Sequence, residues 1–415
     1  MERFFSYRAG TLCCERVPLE RVAARVATPA YVYSRGAIEA ALARFAQAFA
    51  GVPHTLCYSV KANSNLALLR LIGSQGAGFD IVSGGELFRV LRAGLQPNRV
   101  VFSGVGKTAR DVDFALRAKI LFFHVESADE VNLIAQRARQ LRQRAQVAVR
   151  VNPDVDPGTH PHIATGQQEH KFGVPLGEVG ELARRAQAEP WLEFVGIGCH
   201  IGSQITRLAP FRRALARLRR LAHGLRQEGL AVRYLDIGGG VGIRYHREKI
   251  FSLGKYAALL KATARELNSH LILEPGRAVV AAAGVLLTRV LVRKRGLRKE
   301  FLVVDAGMSE LLRPALYGAR HRILPVNGRG GTSAVDVVGP LCETTDSFAQ
   351  NVRLPRLGPG ALLALGDVGA YGFTLASNYN SRPRPAEVLV SGKRFWTIRE
   401  RESWRDLVRR ERGQR

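Results

Sequence analysis

The 415-residue chain is short of several things that would have marked it early. Its longest uncharged apolar run, AVVAAAGVLL from Ala278 to Leu287, is ten residues, about half of the roughly 20 that a bilayer-spanning helix needs. No membrane span is expected. The opening MERFFSYRAG carries charge at Glu2, Arg3 and Arg8 and lacks the apolar stretch of a secretion signal, which predicts a cytoplasmic protein. Cysteine is scarce and unpaired in pattern: Cys13, Cys14, Cys57, Cys199 and Cys342 are an odd number without CxxC spacing, which argues against a disulfide framework and against a zinc site. Acidic residues number 35 against 62 basic ones, a net charge of +27. Of those 62, only 10 are Lys, and the 52 Arg are spread over the whole length. With aromatics at 7% and no basic stripe interleaved with them, the charge reads as a solvated basic surface, and no specific nucleic-acid partner is expected.

What the chain does have is alternation. Eight short β-branched or aromatic runs recur between residues 54 and 275: HTLCYSV, GFDIV, RVVFS, ILFFHV, QVAVRVN, FVGIGCH, RYLDIG and LILEP. Segments between them, such as Asn65 to Gly73, Ser127 to Arg144 and Ala209 to Gln227, carry apolar residues at helical spacing. Eight strands alternating with helices predict an α/β fold, a (β/α)8 barrel. After Ala281 the pattern turns to strand runs with little helix between them, GVLLTRVLVRK, EFLVVDAG, AVDVVGP, ALLALGD, AEVLVSG and RFWTIRE. These predict a second, all-β domain, to which TPAYVYS at 28–34 supplies a further strand. We therefore expect a barrel over 36–280, and a β domain built from 1–35 and 281–415.

In such a barrel, active groups lie just past the C-terminal ends of the strands. Lys61 follows the first run, Asp80 lies in the second, His200 ends the sixth, Gly238, Gly239 and Gly240 end the seventh, and Glu274 with Arg277 end the eighth. A lysine there, partly desolvated and with a lowered pKa, suits Schiff-base chemistry. The DIGGG run frees successive backbone N–H groups to cradle a phosphate, and it matches the dinucleotide fingerprint GxGxxG poorly. Each motif alone is ordinary turn chemistry; together they suit a phosphorylated heterocyclic cofactor.

The chain carries, in order, YSVKANSN, GFDIVSGGEL, FSGVGKT, RVNPDVDPGTHP, HKFG, HIGSQ, DIGGGVG, EPGR, RPALY, GPLCETTD, GAYGF and SNYNSRPRP. On these motifs it resembles, from about Phe5 to about Leu407, the bacterial diaminopimelate decarboxylases, pyridoxal-phosphate-dependent members of the alanine racemase and ornithine decarboxylase fold group. The resemblance implies that Lys61 holds pyridoxal 5'-phosphate as a Schiff base and that His200 stacks on its ring. Ser203, Gly238, Gly239, Gly240 and the main chain of Pro275 and Gly276 are implied to hold the phosphate, with Arg277 beside them. Glu274 is implied to pair with the pyridine nitrogen, and Asp80 to support the cofactor from behind. Arg277, Arg313, Tyr317, Glu343 and Tyr371 are implied to bind substrate, Tyr371 touching the phosphate as well, and Cys342 to return a proton after decarboxylation. Cys342 and Glu343 are implied to reach the neighbouring subunit's site, so that the catalytic unit is a homodimer. The implied reaction takes meso-2,6-diaminopimelate to L-lysine and carbon dioxide, the last step of lysine synthesis.

Three positions depart from the family pattern. Gly198 stands where a polar residue or a His often precedes the stacking His, Ser309-Glu310 replaces Asn-Asp before LLRPALY, and LGDVGAYG replaces a Ser-Ala-Gly approach to the tyrosine. Two other readings stay open at this point. One is a decarboxylase of another basic amino acid, such as ornithine, arginine or carboxynorspermidine; the other is a non-catalytic regulatory homologue, which would be expected to have lost Lys61 or Cys342.

Overall fold

The computed structural model describes residues 3–159, 165–166, 171–328 and 331–412. The end of RVNPDVDPGTHP and His170 of HKFG lie outside them. Two compact units are present: Ala41–Ile243 with Lys249–Ala278, and Met1–Ala40 with Arg244–Glu248 and Val279–Arg415.

The first unit is a closed barrel of eight parallel strands. In order around it they are His54–Ser59, Gly78–Ile81, Val100–Phe102, Phe122–Val125, Ala145–Asn152, Leu192–Gly198, Tyr234–Asp236 and His270–Leu273, the last pairing back to the first. Every strand predicted from the sequence is present, because both faces of a parallel barrel strand are buried and the apolar run is nearly continuous. Cys57, Val101, Phe122, Ala148, Val195 and Ile272, from six different strands, pack into one buried cluster, which makes the interior a filled core. A two-residue strand, Val174–Pro175, adds to Ala145–Asn152 at the rim; it is too short to leave a sequence pattern.

After each of the first four strands a capping side chain sets the start of the following helix. Asn65 accepts from the Ala67 N–H, Ser83 from Glu86 and Ser127 from Glu130, and Thr108 forms a reciprocal box with Asp111. Each cap is worth about 1 kcal/mol, and those at Asn65 and Ser83 start their helices just past the strand ends that carry Lys61 and Asp80.

The second unit is mostly sheet, with Leu19–Val26 among its helices. Ala30–Ser34, the strand expected from TPAYVYS, lies between Gly284–Arg295, antiparallel, and Ala386–Ser391, parallel. All five of its residues are buried, and its Val32 joins Leu12, Val285, Leu287, Val388 and Val390 in the unit's core. The sequence pattern did not single out Ser347–Pro355 or the three-stranded sheet of Phe5–Arg8, Thr11–Cys14 and Val17–Pro18. Ser347–Pro355 is a sheet edge on which only Phe348 and Leu354 are buried, so it shows no apolar alternation. No helix among the described residues is long and apolar enough to cross a membrane.

Candidate active site

The barrel gathers its candidate side chains at the C-terminal ends of its strands. Lys61 sits on a 3-10 turn, Val60–Ala62, immediately after the first strand, and its Nζ lies 2.8 Å from Asp80 Oδ2. The same oxygen accepts from Ser59 Oγ at 2.9 Å, and Asp80 is fully buried. Burial alone would raise the Asp80 carboxyl, but the Lys61 ammonium and these hydrogen bonds outweigh it and hold the group below the ordinary carboxylate range. The expectation for Lys61 was desolvation alone; the structure instead gives the amine a buried counter-ion, because the second strand ends beside the first and points Asp80 at it.

His200 follows the sixth strand. The Gly239 N–H donates to its Nδ1 at 3.1 Å, so Nε2 carries the ring proton in the neutral imidazole. Burial, with Lys61 and Arg150 nearby, pushes the His200 pKa down to about 3, and the ring is uncharged at neutral pH. The Gly238–Gly240 turn has φ of +65° at Gly238 and +89° at Gly240, a left-handed geometry that costs glycine little. At Gly239 any side chain would overlap the Glu274 carbonyl oxygen. The Glu274 N–H donates to Gly238 O at 2.8 Å and Ser59 Oγ to Glu274 O at 2.9 Å, which locks the eighth strand end between the first and the seventh. Arg277 Nη2 donates to Ser203 Oγ at 2.9 Å. Gly276 passes so close to Ser59 and Ala62 that a Cβ would stand 3.0 and 2.9 Å from theirs. The barrel thus brings together Lys61, Asp80, His200, Ser203, Gly238 to Gly240 and Glu274 to Arg277.

Three groups that the sequence reading did not assign stand among them. Lys107, of FSGVGKT, is buried and donates to the carbonyls of Gly104 and His124 at 2.6 and 2.7 Å, with Glu130 3.2 Å away. Arg150 pairs with Glu126 at 3.0 Å, and Glu126 receives the N–H groups of Gly104 and Gly173. His124 meets Asp236 at 2.9 Å. A charged or polar residue inside an apolar strand run, such as His124 in ILFFHV or Arg150 in QVAVRVN, was the available signal.

The second unit orders its own candidates. Arg313 is buried and begins the short helix Arg313–Tyr317. Its Nη1 donates to His321 Nε2 at 2.9 Å, while His321 Nδ1 donates to Gly366 O at 2.8 Å, and its guanidinium lies 4.5 Å from the Tyr245 ring centroid. Glu310, one of the departures, is buried and accepts from the Gly307 N–H at 2.6 Å and from Ser309 Oγ at 3.0 Å, which braces the loop leading to Arg313. Tyr317 and Tyr371 are half-buried, Tyr371 at a φ of +56°. Cys342 and Glu343 are exposed, and Tyr379 Oη donates to Glu343 at 2.5 Å. Buried Asp346 ties down their loop by accepting from the N–H groups of Leu341 and Met308. The other four cysteines are buried and free.

Residues 35–281 match the family described as pyridoxal-dependent decarboxylase, pyridoxal binding domain. The chain is 48% identical over 404 residues to the diaminopimelate decarboxylase of Pseudomonas aeruginosa, covering 97% of each. It is 46% identical over 407 residues to that of Vibrio cholerae, again 97% of each. The crystal structure of the Helicobacter pylori enzyme complexed with L-lysine superposes with a TM-score of 0.92 at 41% identity, covering 94% of this chain and 98% of that one.

The chain belongs to the diaminopimelate decarboxylase family.

The cofactor of this decarboxylase family is pyridoxal 5'-phosphate, and the barrel's residues fit it. A lysine amine stands beside a buried carboxylate with one oxygen, Asp80 Oδ1, still lacking a hydrogen-bond partner. A glycine turn that admits no side chain at Gly239 offers backbone N–H groups where a phosphate needs them. An uncharged imidazole and a buried carboxyl complete the set. Fold, cofactor and decarboxylase class, as the motifs implied them, agree with these comparisons.

Proposed function

We propose that the chain decarboxylates meso-2,6-diaminopimelate to L-lysine and carbon dioxide, the last step of lysine biosynthesis. The observation that carries this is identity of 48% along 97% of a diaminopimelate decarboxylase, with a lysine in place at the barrel mouth. The similarity favours this substrate over ornithine, arginine or carboxynorspermidine, and retention of Lys61 and Cys342 weighs against a non-catalytic homologue.

Pyridoxal phosphate, when bound, supplies the electron sink for the pair released as carbon dioxide leaves. Lys61 holds the cofactor through its Nζ, and Asp80 orients that amine from behind. The neutral His200 ring would pack against the bound cofactor. Ser203, Gly238, Gly239, Gly240, Pro275 and Gly276 receive the phosphate, with Arg277 and Tyr371 contributing. Glu274 keeps a proton at the ring nitrogen. Arg277, Arg313, Tyr317 and Tyr371 bind the substrate, the guanidinium groups taking carboxylates in paired hydrogen bonds, and Glu343 takes the distal ammonium. Cys342 returns a proton to the carbon that has lost its carboxylate. In this reading 36–280 is the cofactor-binding barrel, and 1–35 with 281–415 carry substrate and dimer contacts. Cys342 and Glu343 serve the neighbouring subunit's site, so the working unit is a homodimer in the cytoplasm, without a specific nucleic-acid partner.

The test is carbon dioxide release from meso-diaminopimelate by the purified holoenzyme, with ornithine and lysine as controls. Lys61→Ala should remove both the activity and the absorbance band of the bound cofactor. A borohydride-reduced, cofactor-modified peptide that maps to a lysine other than Lys61 would refute its assignment.

A further inference from the structure

Behind Glu274 the barrel holds two titratable groups to which the roles above assign nothing. Asp236 ends the seventh strand and His124 lies in the fourth. Each of the three residues offers an atom within 4.8 Å of the other two, and their exposures are 1%, 2% and 6% for Asp236, His124 and Glu274. His124 Nε2 lies 2.9 Å from Asp236 Oδ2, the Gly238 N–H donates to Asp236 Oδ1 at 2.7 Å, and a carboxylate oxygen of Asp236 lies within 4.8 Å of one of Glu274. Gly198 is the condition for this arrangement: a Cβ there would stand 2.6 Å from His124 Cε1 and 2.6 Å from Asp236 Cβ. The departure at Gly198 thus opens the space through which His124 reaches Asp236.

Two buried carboxyl groups this close and away from water resist being ionised together, which favours one proton held between them. The groups that face the pair are His124, Asp80, Lys61 and Arg150. Burial, reinforced by Asp80 and, for Glu274, by Asp236 itself, raises Asp236 to about 7 and Glu274 well above its ordinary range, against the opposing pull of Arg150 on the first and of Lys61 on the second. Burial pushes His124 down, so the imidazole stays neutral and acts as a hydrogen-bond anchor.

We propose that Asp236, anchored by His124, is a positioning residue that shares a proton with Glu274 in the cofactor-free chain, and that the pair delivers this proton to the pyridine nitrogen when pyridoxal phosphate binds. A carboxylic O–H bond breaks, an N–H bond forms, and the carboxylate left at Glu274 faces the protonated ring; no proton is drawn from solvent. The inference rests on the proposed placement of Glu274 at that nitrogen.

The experiment titrates the cofactor-free protein with pyridoxal phosphate and with the analogue in which CH replaces the ring nitrogen. Wild type should favour pyridoxal phosphate by at least about tenfold, the equivalent of one pKa unit. Asp236→Asn should erase most of that preference while leaving the affinity for the analogue within about twofold. A parallel loss for both ligands gives Asp236 a merely structural role and overturns the proposal, as does an unchanged preference. Glu274→Gln separates the two layers. If it too leaves the preference intact, the placement of Glu274 has failed; if it abolishes the preference while Asp236→Asn does not, the shared proton alone has failed. Should Asp236→Asn not fold, the infrared spectrum of the wild-type protein decides. A deuterium-sensitive carboxylic-acid carbonyl band that weakens when pyridoxal phosphate is added supports the proposal; no such band, or one the cofactor leaves unchanged, overturns it.

Discussion

The guanidinium of Arg313 is held from two sides, by the His321 imidazole at 2.9 Å and by the face of Tyr245, so it is aimed before any substrate arrives. A buried guanidinium that loses its anion costs about 3 to 5 kcal/mol, and each 1.4 kcal/mol is about tenfold in a rate or binding ratio. Diaminopimelate brings a second carboxylate that lysine and ornithine lack. Wild type should therefore prefer it to lysine by at least about a hundredfold in kcat/KM, and Arg313→Ala should lose most of its diaminopimelate activity and most of that preference together. Equal kcat/KM values for lysine and diaminopimelate in wild type would mean that Arg313 reads something else. Glu274→Gln, assayed with saturating cofactor, should lower kcat on the order of a hundredfold or more, because a neutral amide cannot keep the ring nitrogen protonated. At this scale the sequence was legible where a motif pins a residue to a strand end, as with Lys61, His200 and Glu274. It was silent on Asp236 with His124 and on Arg313 with His321, since those pairs are 112 and 8 residues apart and only the folded barrel or loop brings them into contact.

Among the elements, the strand end that becomes a turn at Gly238 to Gly240 tolerates little change. A methyl at Gly239 would overlap the Glu274 carbonyl oxygen, and both are backbone positions that cannot swing aside. Gly239→Ala should cost about 1 to 3 kcal/mol in urea unfolding and weaken cofactor retention measurably on gel filtration; an unperturbed cofactor affinity would remove the turn from the phosphate site. A second element-level link lies at the far end of the chain. Glu402 accepts from the Arg384 N–H and Nε at 2.9 and 2.8 Å and from Asn378 at 2.7 Å. Burial would raise its carboxyl, but these partners win and draw it down to about 2. Its folded pKa lies below the unfolded value near 4.5, so the stabilisation is complete above that value and is lost as pH falls through about 2. Glu402→Gln should be less stable than wild type by on the order of 1 kcal/mol at pH 7, the gap closing between pH 4.5 and 2; a gap of constant size would mean the clamp is not ionic. The barrel strands could be read from the sequence because both faces of each are buried, whereas the edge strand Ser347–Pro355 and the N-terminal sheet are short or half-exposed and carry no period.

For the whole molecule, the question is whether one chain holds a complete site. The two residues implied to return the proton and to bind the distal ammonium, Cys342 and Glu343, are exposed on their own chain, on a loop whose shape is fixed by Asp346. A proton donor that is rigidly held yet open to solvent suits delivery into another subunit's site, where burial by the partner would shield it. If the site is shared, subunits broken on opposite sides should repair each other. Lys61→Ala lacks the cofactor anchor but keeps Cys342; Cys342→Ala keeps the anchor but lacks the donor. Random exchange of equal amounts makes about half of the dimers mixed, and each mixed dimer has one intact site of two, so activity should return to about a quarter of wild type. Recovery should follow the rate of subunit exchange, and it should be absent when both changes are placed in the same chain and mixed with Lys61→Ala. With exchange verified by mass and no activity regained, Cys342 would have to act within its own chain, and the dimer would lose its catalytic reason.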